Sequence, residues 1–155
     1  MKSQRTLVLI KPDGVQRQLV GRVIARFEDR GLKIVGMRLT AVTRDLAERH
    51  YAVHKGRPFF ASLVDFITSS PVVAIVLEGP NAISVVRSMV GTTKPHESAP
   101  GTIRGDFGVS RQMNLVHGSD STDASAREIA IYFKPEELLT YSASLDPWTC
   151  AGDEK

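Results

Sequence analysis

Hydrophobic and polar positions recur along this chain with two different periods, and the switches between them mark out its elements. Thr6-Leu7-Val8-Leu9-Ile10 is a continuous apolar run of strand length, which predicts a strand covered on both faces, closed by the turn-forming Lys11-Pro12-Asp13-Gly14. Val20, Val23, Ile24 and Phe27 fall at i, i+3, i+4 and i+7, the stripe of a helix that Gly31 is placed to end. Leu32 to Thr40 predicts a second strand, with Val35, Met37 and Leu39 on one face and Ile34, Gly36 and Arg38 on the other. Asp45 to His54 predicts a polar helix. Phe60, Leu63, Val64 and Ile67 repeat the helical spacing, with Phe59 and Phe66 alongside. A third strand is expected from Val72 to Leu77, then a turn at Glu78-Gly79-Pro80-Asn81, then a helix turning Ala82, Val85, Val86 and Met89 inward.

From Gly91 to about Ser110 the periodicity stops. A stretch of roughly twenty residues rich in Gly, Pro, Thr and charge is longer than a passive connector, so a functional loop is expected there. Leu115-Val116 then predicts a short strand that delivers His117 to a sheet edge, with Gly118 allowing a close approach of backbone or ligand. Ser119, Asp120, Ser121 and Asp123 suit the start of a last long helix, striped by Ala126, Ile129, Ala130 and Phe133. With the helical insertion and the last helix set aside, the order is βαββαβ. That is an α/β chain of the α+β kind, ferredoxin-like, with a four-stranded antiparallel sheet and helices on one face.

Composition narrows the class of protein. At 155 residues, 42% hydrophobic and 24% charged, the chain reads as one domain over 1–155, with a weakly patterned tail over 142–155. A formal net charge of +3, without a block of like charge, gives no support to specific nucleic-acid binding or a membrane arm. Cys150 stands alone, which fits a reducing, cytoplasmic setting and leaves no Cys pair for zinc. The residues ahead of Lys11 are too short an apolar run for a signal sequence, and no stretch approaches a membrane span.

The residues with chemical potential lie at element boundaries. His117 admits two readings: a nucleophile at a strand-to-helix junction, or an imidazole satisfied locally by the Ser and Asp around it. Lys11, His54, Arg87 and Arg104 are cations from separate segments, as a polyphosphate requires; each alone also fits a solvated surface charge. Phe59 has a ring free either to stack on a base or to join the core. Glu128 either orients His117 or is an ordinary exposed helical carboxylate. Neither a GxxxxGK[ST] nor a GxGxxG sequence is present.

Asn114 to Ser121, NLVHGSDS, resembles the active-site signature of nucleoside diphosphate kinases. Thr6 to Gln16, His50-Tyr51, Arg57-Pro58-Phe59-Phe60, Pro71-Val72-Val73 and Pro100 to Phe107 resemble the same family in its order and spacing. The resemblance covers roughly residues 4 to 141 and implies γ-phosphoryl transfer from a nucleoside triphosphate to a nucleoside diphosphate through a phosphohistidine, with broad base specificity. It implies His117 as nucleophile, Glu128 and Ser119 orienting it, Tyr51 beside the transferring group, and Lys11 and Asn114 on the sugar and phosphates. It implies His54, Arg87, Thr93 and Arg104 on the β- and γ-phosphates with Mg²⁺, Phe59 and Leu63 at the base, and a homohexamer or tetramer. Arg111, Gln112, Met113 and Lys94 depart from the family's commoner residues, and Arg111 implies an altered base preference. On such a fold the competing readings are a nucleotide-binding regulatory module or a protein histidine phosphotransfer domain; the joint presence of Lys11, Tyr51, Asn114 and His117 favours the enzyme.

Overall fold

The computed structural model describes residues 3–154. Its centre is β1 (Ser3–Ile10), whose uninterrupted apolar run is buried on both faces as the sequence predicts. β1 pairs antiparallel with β3 (Val72–Pro80) on one side and with β4 (Val116–Gly118) on the other. β2 (Lys33–Thr40) joins β3, giving the antiparallel order β2-β3-β1-β4 of the ferredoxin-like arrangement.

Helices cover both faces of this sheet, not one. On the first face Val8, Ile10, Ile75 and Leu77 pack against Val23 and Phe27 of α2 (Val20–Asp29) and Val86 and Val90 of α5 (Ala82–Val90). On the second, Leu7, Leu9, Ala74 and Val76 meet Ala47 of α3 (Arg44–His50), Val64 and Ile67 of α4 (Phe60–Ile67), and Tyr132 of α7 (Thr122–Tyr132). Each fully buried Leu or Ile contributes about 1.5–3 kcal/mol, so two apolar faces on one strand demand two helical layers.

Several local expectations change. Lys11-Pro12-Asp13-Gly14 is not a bare turn: Pro12, with no N–H to satisfy and φ already suited to a helix, starts α1 (Pro12–Gln16). Glu78, Gly79 and Pro80 continue β3 by pairing with Arg5, Gln4 and Ser3, and the reversal falls on Asn81 at φ 52°. The register of β2 against β3 shifts between Ile34 and Gly36, so Val35 is buried on the second face while Met37 and Leu39 point to the first and stand exposed. The irregular stretch after Gly91 contains a 3-10 turn at Pro95–Glu97 and a short helix, α6 (Ile103–Phe107), started by the Thr102 hydroxyl accepting from Gly105 N–H.

The last long helix differs most. Ala126 and Ala130 are exposed, and the buried face of α7 carries Ser125, Glu128 and Tyr132. Ser121 starts the helix by accepting from Ala124 N–H, and Ser125 Oγ donates to Arg5 O at 2.7 Å, fastening α7 across β1. A short α8 (Asp146–Thr149) in the tail lies over the start of β2, where Asp146 meets Lys33.

Candidate active site

β4 sits at the sheet edge with His117 opposite Leu9 of β1. Paired residues share a face, so His117 projects into the layer built by α3, α4 and α7. The chain enters β4 through Leu115, which is not in the strand but at φ 75° in a three-residue turn, with Val116 N–H donating to Asn114 O at 2.9 Å. Gly118 leaves space for Val86 of α5, 3.2 Å from where a Cβ would stand, so its role is packing and not ligand approach.

His117 Nε2 lies 2.9 Å and 3.0 Å from the two carboxylate oxygens of Glu128. An ionised carboxylate only accepts, so Nε2 carries the hydrogen and the neutral ring keeps its lone pair on Nδ1. Ser119 Oγ donates to Glu128 Oε2 at 3.3 Å, and both residues are buried. The helical rise from Ser121 brings Glu128 back over β4, which is why the polar face of α7 turns inward.

The cations gather at the other end of this edge. Lys11 is buried, and its Nζ donates to Asn114 Oδ1 at 2.7 Å while Asn114 Nδ2 donates to Thr93 O at 3.0 Å. Burial first and the charge of Arg104 second lower the Lys11 ammonium to about 8, with the charge of Asp13 opposing both. Arg104 is buried too, and its guanidinium donates to four backbone carbonyls, those of Gly91, Thr92, Asn114 and Val116. It therefore locks the loop onto β4 while holding its charge there, although burial and the neighbouring Arg87 lower it to about 10. Arg87 and Thr93 are exposed.

A row of rings runs outward from His117. His50 stands edge-on to it at 4.6 Å between centroids, Tyr51 at 4.8 Å from His50, His54 at 6.3 Å from Tyr51, and Phe59 at 5.4 Å from His54. Burial and the neighbouring cationic groups hold His50 well below the usual histidine range, and burial pushes the Tyr51 phenol up to about 12, so both stay neutral near pH 7. Phe59 ends the row 46% exposed, its ring left out of the core, whereas Leu63 packs half-buried against the second core. Arg111 is exposed, Gln112 Nε2 ties its loop to Ser62 O at 2.9 Å, Met113 is exposed, and Lys94 pairs with Glu97.

Two buried groups carry no role in the sequence reading: Asp13 Oδ2 accepts from Leu115 N–H at 3.0 Å, and His50 packs against His117. Asp13 sits inside a turn-like tetrapeptide and His50 in a polar helix, so neither has a local signal. Among the described residues His50, His117 and Glu128 are the metal-ligand cluster, with ligand atoms within 4.8 Å of one another. That spread exceeds the ~3.3 Å between ligands implied by tetrahedral zinc with bonds near 2.0–2.1 Å, and two imidazoles do not suit Mg²⁺.

The site sets a histidine held by a carboxylate near buried cations, an arrangement suited to phosphoryl transfer. The family model described as nucleoside diphosphate kinase matches residues 4–138. A nucleoside diphosphate kinase from Carboxydothermus hydrogenoformans is 55% identical over 145 residues, 94% of this chain and 97% of that one. Among solved structures, a halophilic nucleoside diphosphate kinase from Halobacterium salinarum in complex with CDP has a TM-score of 0.94 at 46% identity, covering 96% of this chain and 99% of that one. A nucleoside diphosphate kinase family protein from Babesia bovis has a TM-score of 0.92 at 48% identity, covering 95% and 99%. The chain belongs to the nucleoside diphosphate kinase family, and its activity is phosphoryl transfer between nucleotides. Among the described residues no helix is long and apolar enough to cross a membrane.

Proposed function

We propose that His117 Nδ1 carries the phosphoryl group. The supporting observation is the bond of Nε2 to Glu128, which assigns the ring hydrogen to one nitrogen and the nucleophilic lone pair to the other. Nδ1 attacks the γ-phosphorus of a nucleoside triphosphate, the bond from that phosphorus to the β–γ bridging oxygen breaks, and the diphosphate leaves. A terminal oxygen of the second nucleoside diphosphate then attacks the phosphohistidine and the P–N bond breaks.

Lys11 and Asn114, held together at 2.7 Å, take the sugar hydroxyls and phosphates, while His54, Arg87, Thr93 and Arg104 take the β- and γ-phosphates. Tyr51 lines the approach as a neutral phenol. Phosphate oxygens of the nucleotide would hold Mg²⁺, and the ion would supply neutralisation of their charge. The nitrogen-rich cluster around His117 suits that division, since it offers this hard cation no oxygen cage. Phe59 stacks on the base from the mouth of the ring row, beside Leu63, and a π-face is common to every base, which supports broad specificity.

We read the chain as one cytoplasmic domain over 1–155 that assembles into a homohexamer, a tetramer being the alternative. β2 supports assembly: it is an edge strand carrying Met37 54% exposed and Leu39 67% exposed. Mass in solution decides it, and a monomer would overturn it.

The deciding experiment is self-labelling with γ-labelled ATP and Mg²⁺. The protein is expected to take up acid-labile, base-stable label, discharged by GDP, and His117→Ala to abolish both. Label that survives in His117→Ala would refute the nucleophile.

A further inference from the structure

Leu115 is a buried, non-glycine residue held at φ 75°, between the sugar-binding Asn114 and the strand that carries His117. A backbone of that kind is strained for a residue with a Cβ and persists only where the surroundings over-determine it. Three contacts do so. Leu115 N–H donates to Asp13 Oδ2 at 3.0 Å, Leu115 O accepts from Lys11 N–H at 2.8 Å, and Val116 N–H closes the turn onto Asn114 O at 2.9 Å. Gly14 completes the fit, because a Cβ there would stand 3.1 Å from Leu115 O and 2.7 Å from Ile10. The Asp13 carboxylate is the only side chain of the described residues that bonds this turn's N–H, and it comes from the segment that also carries Lys11.

We propose that Asp13 is a positioning residue for phosphoryl transfer: by clamping the Leu115 N–H it holds the left-handed turn that sets Asn114 against Lys11 and aims His117. Without the clamp, Leu115 relaxes to negative φ, and the peptides on either side rotate. Lys11 N–H then loses the Leu115 carbonyl, and the 2.7 Å bond from Lys11 Nζ to Asn114 Oδ1 goes with it. Asp13 touches neither nucleotide nor phosphorus in this scheme; it acts through backbone geometry. For the turn, the position of the acceptor oxygen is what matters, while the Asp13 charge acts separately by favouring the Lys11 ammonium; the variants' rates are therefore compared at about pH 6.5, where that ammonium is charged, and the other oxygen, Oδ1, is buried without a partner.

That distinction gives the test. Asp13→Asn keeps an acceptor oxygen in place and removes the charge; Asp13→Glu keeps the charge and displaces the oxygen by one methylene. The proposal rests on His117 as the phosphorylated residue, which self-labelling of the unaltered chain establishes beforehand. In single-turnover labelling with ATP and Mg²⁺ and in steady state, Asp13→Asn is expected to keep kcat within about threefold. Asp13→Glu is expected to lose about tenfold to a hundredfold in kcat, the scale of an ångström-sized misplacement, and to raise KM for ATP as well because Lys11 and Asn114 move with the turn, whereas Asp13→Asn leaves both near the parent values. Thermal melting identifies any variant that fails to fold; if Asp13→Glu does, the Asp13→Asn rate decides alone. A loss beyond about tenfold in Asp13→Asn, or near-full activity in a folded Asp13→Glu, would overturn the clamp.

Discussion

Lys11 Nζ and Asn114 Oδ1 meet at 2.7 Å although 103 positions separate them, so the end of the first strand and the approach to His117 form one polar site. The ammonium there has been lowered from 10.5 to about 8, first by burial and then by Arg104, with Asp13 opposing. Its charge is therefore lost as pH rises through about 8. For the free enzyme, kcat/KM for a nucleoside triphosphate is expected to fall about tenfold per pH unit above that value, and Lys11→Gln to remove this limb at a lower plateau. Stability moves the other way: between about 8 and 10.5 the unfolded chain still binds the proton that the folded chain has released, so this group favours folding as pH rises. A kcat/KM that stays level through about pH 10 would show that the Lys11 ammonium does not titrate near 8 in the folded enzyme, and an unchanged kcat/KM in Lys11→Gln would remove Lys11 from the phosphate site.

Glu128 holds His117 by one ring nitrogen. Glu128→Ala frees the ring to rotate and to exchange tautomers, so kcat and the rate of self-labelling should fall by about tenfold or more while KM changes little. Ser119→Ala removes only the 3.3 Å bond to the same carboxylate and should cost less. Equal losses in the two variants would show that Ser119 acts directly.

Phe59 stands at the mouth of the ring row and 46% exposed. Phe59→Ala should raise KM by roughly 5- to 150-fold, the equivalent of about 1–3 kcal/mol of stacking, more for purines than for pyrimidines. Its melting temperature should be unchanged. Steady-state kinetics with ADP, GDP and CDP in parallel read this out, and an unchanged KM for all three would remove Phe59 from the base site.

Arg104 donates to four carbonyls in two segments. A lysine ammonium has no planar fork to span them, so Arg104→Lys leaves buried acceptors unpaired and should lower unfolding free energy by about 1–3 kcal/mol per group left unsatisfied. Urea denaturation measures it. A stability equal to that of the parent would mean that the guanidinium is not what fastens the 91–93 loop to β4.

The sequence by itself determined the order of the strands and of the longer helices, and it singled out the candidate site residues, His117 first among them. β1 and the stripe of α2 are read from apolar spacing alone, because burying their side chains is what forms them. NLVHGSDS and its companion segments sufficed for the family and its reaction. What tertiary structure decided were the places where polar groups go inside. α7 turns Ser125, Glu128 and Tyr132 inward and leaves Ala126 and Ala130 outside, because Arg5 O and His117 wait on β1 and β4. Arg104 is a buried brace because four carbonyls converge on it, and Leu115 takes positive φ because Asp13 and Lys11 hold both its polar groups. Hydrophobic periodicity counts what prefers to leave water; it cannot count a polar side chain whose partner lies a hundred positions away, and only the closed fold supplies that partner.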